Sequence, residues 1–476
     1  MIPTQIETNS SQNHVPATQP SEIRLPDHQY SVAAILQAVR IYTVGVISFH
    51  ACCRVIALLK PELSAFNMVP TNNTIQSWVL RIGLYELSRP VERADDWVII
   101  MDHTCQLGHH KCLIVLGIRL SHWATLHRPL ILQDLSVLMI RVVTSSTGLL
   151  VQQQLLEVQA RIGTIAAIVS DQGSDLVCGS RLFANEQADV LPNDVSSPDV
   201  SGDGGLQLFD PNDLTAAGRA KPVVLKDFSH ASSHLLKAHL EADKQWHEFL
   251  SLCGKTQPKV KQTMWGALAP PTQKVKGRYM NIGDVIRWGQ MMNDLLHGLA
   301  GTLPEGIDRS MLRQKYGWVQ SYDESLKAWL EIDILREQSL QLVRVSGYSS
   351  TTVDAIRSGQ RAYQNYESSH KMAKALLDLV REQCRDIPEG VSYPGSSEVI
   401  ESLIGKYKQS QDQHSRGGFT KMLLAICAST VEMTEKVVVE SLTAVREMDV
   451  RKWTKDTLGT TLTSMRRMAF PGTKDA

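Results

Sequence analysis

The amino-acid sequence predicts a mixed α/β core that is interrupted by a long helical segment and preceded by a smaller helical region. Three observations lead to this fold class. Short apolar runs that end in polar residues alternate with segments of helical spacing up to about residue 252. Apolar residues then recur with a helical period through the next 140 residues or so. Helical spacing continues between residues 396 and 450, after a proline and a glycine.

The composition limits the class of protein. Lys and Arg together number 49, as do Asp and Glu, so the chain lacks a uniformly basic surface, although a local basic surface remains possible. The eight cysteines form no C-x-x-C pair, which indicates reduced thiols rather than a zinc site. The polar N-terminus does not resemble a signal peptide, and the longest apolar runs are too short to span a bilayer. We therefore expect a cytoplasmic protein without a membrane segment.

The chain begins with a polar segment and a helical region. Residues 1–28 are rich in Pro, Ser and Asn and are predicted to form a disordered tail. Residues 29–92 contain three stretches of helical spacing, and Thr71, Asn72 and Asn73 are suitable N-caps for the third stretch. Three short helices fit a DNA-binding helix-turn-helix unit, and they equally fit a helical bundle that only supports the next domain.

Five strands are predicted in the core. Their sequences are DWVIIMDHT, KCLIVLGIRL, VLMIRVV, TIAAIVSDQ and PVVLKDFSH. A helix in TGLLVQQQLLEVQARIG separates the third and fourth strands, and an acidic loop over 185–221 precedes the fifth. One continuous helix, ASSHLLKAHLEADKQWHEFLSLC, is predicted after the fifth strand.

Three aspartates stand where predicted strands end, namely Asp102, Asp171 and Asp227. Asp is also a common turn residue, so one such residue alone says little. Three of them in one sheet predict a functional site, because functional groups collect at the ends of strands. Clustered carboxylates repel unless cations neutralise them, and hard oxygen ligands suit Mg²⁺ or Mn²⁺. Two such ions together would serve phosphodiester chemistry.

A helix begins near Gly395 and carries two glutamates. On a helical wheel, Glu398 lies opposite the apolar stripe, and we expect it to face water near the positive end of the helix dipole. Glu401 lies on the flank of the stripe, and Lys408 lies two turns further along the same flank. This geometry favours Glu401 as the residue that reaches the aspartates at the strand ends.

Four blocks of the sequence resemble a known family. WVIIMDHTCQLGHHKCLIVLGIRL, AAIVSDQGSDLVCGSRLF, KDFSHASSHLLKAHLEAD and PGSSEVIESLIGKYK…SRGGFT are similar to bacterial insertion-sequence transposases of the DDE type, which have a ribonuclease-H-like core. The resemblance runs from about residue 30 to the end of the chain. A more distant similarity to hAT transposases rests on Asp227 with His230, Arg287 with Trp288, and Ser396 and Ser397 leading to Glu401. The chain departs from that family in having no zinc finger, and in having Ser402 and Ile404 where the family prefers Arg and Phe.

The resemblance implies a set of functional residues. Asp102, Asp171 and Glu401 would be the catalytic residues and the ligands of Mg²⁺ or Mn²⁺, with two ions expected. Asp227 and His230 would be accessory residues near the metals or the scissile phosphate. DNA contacts are expected from Arg278, Arg287, Trp288, Lys408 and the lysines at 274 and 276. Trp288 equally fits a core position, because Ile286 and Met291 extend the same apolar pattern.

The resemblance also implies a division of the chain and a function. The expected parts are a tail (1–28), a helical DNA-binding domain (29–92), the first part of the core (93–252), a helical insertion (253–394) and the completion of the core with the catalytic helix (395–476). A transposase of this type cuts and joins double-stranded DNA at element ends and target, is nucleoid-associated, and works as a homo-oligomer. The open alternatives are a catalytically inactive DNA-binding protein of the same descent and a structure-selective DNA nuclease.

Overall fold

A computed structural model describes most of the 476 residues of the chain. The described residues are 23–60, 62–63, 65–107, 110–189, 221–273, 281–299, 301–412, 419–459, 465 and 468–470. Several sequence-based expectations concern residues outside these ranges: most of the disordered tail, most of the acidic loop, Arg278, and the lysines at 274 and 276.

The described strands form one five-stranded mixed sheet in the order β3-β2-β1-β4-β5. β1 is antiparallel to β2 and parallel to β4, β2 is antiparallel to β3, and β4 is parallel to β5. The strands are β1 (Ala94–Leu107), β2 (His110–Arg119), β3 (Ser136–Val143), β4 (Gly163–Ser170) and β5 (Val223–Lys226). A mixed sheet is what the alternation of apolar runs and helices predicted.

Helices account for most of the remaining described chain. In the part that the structure describes, none of them combines the length and apolar character that crossing a membrane requires. The α-helices are α1 (Val32–Gly45), α2 (Phe49–Leu59), α3 (Asn72–Ser88), α4 (Leu120–Trp123), α5 (Gly148–Ile162), α6 (Ser174–Asp189), α7 (Phe228–Glu241), α8 (Lys244–Val260), α9 (Ile282–His297), α10 (Arg309–Tyr316), α11 (Asp323–Ser346), α12 (Ser350–Gly359), α13 (Glu367–Cys384), α14 (Glu398–Asp412), α15 (Leu423–Ala428), α16 (Glu435–Ala444) and α17 (Glu447–Leu458).

The chain divides into two compact units. One combines residues 1–88 with 406–476, and the other comprises residues 89–405. The expected division places the last helices with the sheet, whereas the structure groups them with the N-terminal helices, and the boundary falls inside α14. The expected border at 252 falls inside α8, because that helix begins at Lys244.

The sheet owes its stability to apolar residues on both faces. Trp97, Ile99 and Met101 of β1 belong to a buried cluster that includes residues of α5 and α6. Side chains alternate along a strand, so Val98 and Ile100, which are also fully buried, point to the opposite face. Asp102 continues this second series, and it therefore lies on the face away from α5 and α6.

The smaller unit is built around α3. Thr71 caps this helix through a hydrogen bond from the backbone N–H of Thr74, as the sequence predicted. Arg81 donates hydrogen bonds to the carbonyls of Leu442 and Val445 near the end of α16. Gly83 allows α15 to approach closely, because a Cβ at this position would lie 1.9 Å from the carbonyl oxygen of Leu424. The N-terminal and C-terminal helices thus share one core.

The helical region after β5 differs from the expectation in one respect. The segment expected to be one helix is divided into α7 and α8. Asp243 separates them: its Oδ1 accepts a hydrogen bond from the N–H of Gln245, and its Oδ2 accepts one from the indole of Trp329. An N-capping Asp with a partner from α11 favours a new helix start over continuation of the first helix.

The helical segment returns to the sheet through a short set of backbone contacts. Tyr348, just after α11, exchanges backbone hydrogen bonds with Tyr393. The carbonyl of Gly395 then accepts a hydrogen bond from the N–H of Phe228 at the start of α7. A side chain at Gly395 would collide with Val343, since a Cβ there would lie 2.4 Å from Val343 Cγ1. These contacts place the start of α14 beside the end of β5.

The close approach at Gly83 gives a testable prediction for stability. Gly83→Ala should destabilise the protein by about 2 kcal/mol or more, because the new methyl group overlaps a backbone carbonyl that cannot move independently. Gly359→Ala is the control, since Gly359 has a helical backbone and nothing lies within 4 Å of its Cβ position. That variant should be neutral or slightly stabilising. Urea unfolding of both variants checks this, and equal midpoints would contradict the packing described.

Candidate active site

The register of the sheet places three aspartates in one row. Met101 of β1 pairs with Ser170 of β4, and Ser170 pairs with Lys226 of β5. The residues that directly follow Met101, Ser170 and Lys226 in the sequence are Asp102, Asp171 and Asp227. Neighbouring strands lie about 4.8 Å apart, so the three backbones stand side by side across three parallel strands. Asp171 and Asp227 directly follow β4 and β5 as predicted, whereas Asp102 lies inside β1, because that strand continues to Leu107 through its pairing with β2. The row continues past the strand ends, because the N–H of Asp227 donates to the carbonyl of Ser170 over 2.8 Å.

Asp102 lies in the least favourable surroundings for a charged carboxylate. Its side chain is half-buried, and burial, together with the negative charges of Asp171 and Glu401, raises its pKa to about 7. A hydrogen bond from the backbone of His103 and the charge of His230 only partly offset these effects. Asp102 therefore lies within the electrostatic influence of the other acids and lacks sufficient positive charge nearby.

Asp171 begins the turn that connects β4 to α6. Its Oδ1 accepts a hydrogen bond from the N–H of Gly173 over 2.9 Å, which is an Asx turn. This bond occupies part of the carboxylate and fixes its orientation. Asp171 is half-buried, so the rest of the carboxylate can accept a ligand.

Asp227 is fully buried, and both of its oxygens are occupied. Oδ1 accepts hydrogen bonds from the backbone N–H groups of Ser229 and Ser397, and Oδ2 accepts from the backbone N–H of His230. Its fourth contact is with Nδ1 of His230, at 2.6 Å from Oδ2. One carboxylate thus joins the end of β5 to the starts of both α7 and α14.

His230 lies between two acids. Its Nδ1 is 2.6 Å from Oδ2 of Asp227 and 3.3 Å from Oε1 of Glu401. The hydrogen bond with Asp227 raises the pKa of His230 to about 9, although burial acts in the opposite direction. The ring is therefore an imidazolium at neutral pH, with Nδ1–H directed to Asp227 and Nε2–H as its second donor.

Glu401 lies on α14, as the wheel predicted for a residue on the flank of the apolar stripe. Val399, Ile400 and Leu403 around it are buried, whereas Glu401 is half-buried. Burial raises the pKa of Glu401, and the charge of His230 lowers it. Its carboxylate is turned toward His230.

The most compact set of potential ligands differs from the predicted triad. Among the described residues, ligand atoms of Asp227, His230 and Glu401 all lie within 4.8 Å of one another, whereas Asp102, Asp171 and Glu401 do not form such a group. The compact set is a poor metal site, because Asp227 already accepts four hydrogen bonds and the protonated His230 has no lone pair on Nδ1. Asp102 and Asp171 have the oxygen chemistry that a hard cation requires.

Glu398 corrects one sequence-based expectation. The wheel predicted that it faces water, but its carboxylate forms a two-point ion pair with Arg344 near the end of α11. It also accepts hydrogen bonds from the hydroxyls of Ser229 and Ser396, each over 3.1 Å. A wheel identifies the apolar stripe of one helix and contains no information on partners from other elements. Arg344 lies more than fifty residues away from Glu398, and nothing in the sequence links them.

The residues expected to contact DNA lie in different surroundings. Arg287 is exposed but pairs with Asp284 and with the buried Asp333, at 2.8 and 2.9 Å. Trp288 contacts Phe249, Tyr316 and Trp318.

The indole N–H of Trp288 donates to the carbonyl of Leu268. These are the contacts of a core residue, although Met291, which was expected to extend the apolar stripe, is 70% exposed. Lys408 is exposed on α14. The contacts of Arg287, Trp288 and Lys408 with DNA stay predictions.

Comparisons with known proteins add little to this geometry. No protein-family model matches the chain. No curated protein matches it in sequence either. Among solved structures, the Drosophila P element transposase strand transfer complex aligns with a TM-score of 0.40 and 12% identity, covering 86% of this chain and 94% of that chain. At this score the similarity supports no conclusion on fold or function.

The raised pKa of Asp102 predicts a specific pH dependence of stability. The folded protein holds the proton of Asp102 up to about pH 7, whereas the unfolded chain releases it near pH 4. Ionised Asp102 therefore lowers stability progressively from pH 4 to 7, and fully above pH 7. Asp102→Asn should raise the free energy of unfolding by about 1–4 kcal/mol at pH 8 and have little effect at pH 4.

Urea unfolding in EDTA at both pH values measures this effect. Asp386→Asn, at an exposed position, is the matched control and should change stability equally at the two pH values. A destabilised Asp102→Asn variant at pH 8 would contradict the electrostatic account of the site.

The Asp227–His230 contact gives a second prediction. Asp227→Asn replaces an acceptor with an N–H₂ group facing the donors of His230 or Ser397, so it should destabilise the protein by about 2–4 kcal/mol. The pKa of His230 should fall from about 9 toward its ordinary value near 6.5. NMR titration of the histidine ring protons measures this shift. An unchanged His230 titration in the variant would show that Asp227 is not its main partner.

Proposed function

We propose that this protein is a DNA transposase of the DDE type, which cuts DNA strands and joins their ends to target DNA. The observation that carries the proposal is the row of Asp102 and Asp171 on β1 and at the end of β4, with Glu401 of α14 within range of the charges of both. The sequence blocks that resemble bacterial insertion-sequence transposases contain all three acids. A ribonuclease-H-like core with a helical insertion between the second and third acid accounts for the position of α7 to α13 between Asp171 and Glu401.

The chemistry of the acids fits a divalent metal site. Burial, together with the negative charges of Asp171 and Glu401, raises the pKa of Asp102, and a bound hard cation would stabilise its charged form. Asp102, Asp171 and Glu401 would hold Mg²⁺ or Mn²⁺. When bound, two such ions supply an activated water or hydroxyl and stabilise the leaving oxygen of a phosphodiester.

The other residues of the site have roles that the geometry supports. Asp227 is a positioning residue, because its hydrogen bonds hold the starts of α7 and α14 together. His230 is a cation whose Nε2–H is the donor available for a phosphate oxygen, because Nδ1–H is directed to Asp227. Glu401 lies against His230, and its three rotatable bonds allow its carboxylate to turn toward the aspartates.

The proposal includes partners for the protein. DNA segments at the ends of the element and at the target are the substrates, and two ends must be brought together, which requires a homo-oligomer. The helices at residues 29–92 would bind DNA. Arg278, Arg287, Trp288 and Lys408 would contribute contacts to the DNA backbone or to unpaired bases.

Cleavage assays with the three acids test the proposal. Asp102→Asn, Asp171→Asn and Glu401→Gln should each abolish Mg²⁺-dependent cleavage and strand transfer on DNA that carries the segments flanking the gene. Each variant should bind the same DNA as tightly as the wild type in Ca²⁺. The three carboxylates belong to the site that acts on the phosphodiester, and they are not among the residues proposed to contact DNA. The exposed Asp386→Asn variant should retain full activity.

The same assay distinguishes the alternatives. Cleavage of branched DNA without joining would indicate a structure-selective nuclease. Specific DNA binding by the wild-type protein without metal-dependent cleavage would indicate an inactive protein of transposase descent. Full activity of Asp102→Asn or Glu401→Gln would overturn the assignment of the site.

A further inference from the structure

Arg344 connects the helical segment after β5 to the helix that carries Glu401. It lies near the end of α11, and its Nε and Nη2 donate to the two carboxylate oxygens of Glu398, the first residue of α14. The two side chains are only 24% and 28% exposed. A two-point Arg–carboxylate pair fixes orientation as well as distance. The contact therefore restrains the start of α14 against both sliding and rotation.

Glu398 is also held by α7. Its Oε1 accepts from the hydroxyl of Ser229, and its Oε2 accepts from the hydroxyl of Ser396. Ser229 lies between Asp227 and His230 in the sequence, on the turn that presents the imidazolium to Glu401. One carboxylate thus joins α11, α7 and α14 next to the proposed site.

The geometry of a helix transmits this restraint to Glu401. Three residues correspond to a rise of about 4.5 Å and a rotation of about 300°, so Glu398 and Glu401 lie about 60° apart around the helix axis. The backbone closes the first turn through the carbonyl of Ser397, which accepts from the N–H of Ile400 over 2.8 Å and lies 3.4 Å from the N–H of Glu401. Side-chain contacts of Glu398 and the Asp227–Ser397 bond attach this turn to α11, α7 and the end of β5.

We propose that Arg344 is a positioning residue, which sets the place of Glu401 by holding Glu398. This inference rests on the proposed function for the role of Glu401, but the contact itself does not depend on it. Arg344 acts through Glu398 and touches neither DNA nor metal in this account. Movement of the helical segment would then alter the position of the third acid.

Hydrogen exchange and catalysis of matched variants test the inference. In Arg344→Gln, amide exchange in a peptide covering residues 396–405 should be about tenfold faster, while exchange in β1 and β4 stays unchanged. The kcat for DNA cleavage should fall about 10- to 100-fold, with the Kd for DNA unchanged. Arg344→Lys keeps the charge but loses the two-point geometry, and it should recover part of the loss. Arg357→Gln, which breaks an exposed pair with Asp354 on α12, is the control and should match the wild type.

The outcomes separate this inference from the proposed function. Unchanged exchange at 396–405 in Arg344→Gln, with an active wild type, would overturn the positioning role and leave the transposase proposal standing. A wild type that neither binds Mn²⁺ in calorimetry nor cleaves DNA would overturn the proposed function, while faster exchange would still support the restraint. If Arg344→Gln does not fold, Arg344→Lys carries the test: wild-type exchange and kcat in that variant would overturn the inference.

Discussion

The site depends most on the hydrogen bonds of one buried carboxylate, that of Asp227. This carboxylate accepts hydrogen bonds from the backbone N–H groups of Ser229, His230 and Ser397, and it contacts the ring of His230. A buried carboxylate is costly unless it is fully satisfied, and here that requirement can be met only when β5, α7 and α14 meet at one point. The chain between α7 and α14 exceeds 150 residues, yet both helix starts are fixed on the same two oxygens. The position of Glu401 relative to the strand ends follows from this arrangement.

Within this site, the arrangement that would favour cation binding also lowers the stability of the fold. Asp227 is compensated by donors, whereas Asp102 is half-buried near other acids and has a pKa of about 7. Such an uncompensated carboxylate lowers the stability of the fold and raises its affinity for a cation. Exceptions to good local design are expected at functional sites. The contrast between the two aspartates supports a structural role for Asp227 and is consistent with the proposed ligand role of Asp102.

The sequence was sufficient for some features because they are local. Each apolar run ends at its aspartate, so strands that pair in register must align Asp102, Asp171 and Asp227. The helical wheel placed Glu401 on the flank of its helix from apolar spacing alone. Features that depend on partners distant in the chain could not be predicted. The ion pair of Glu398 with Arg344 is one such feature, and the interruption of the helix at Asp243 by Trp329 is another.

The position of a metal ion is the most direct test of the central claim, which is that Asp102, Asp171 and Glu401 form one cation site. Crystals of the wild-type protein soaked with Mn²⁺ can be measured for anomalous scattering. We expect anomalous density in contact with Asp102, Asp171 and Glu401. Density held instead by Asp227 and His230, or none at these acids at saturating Mn²⁺, would contradict this account.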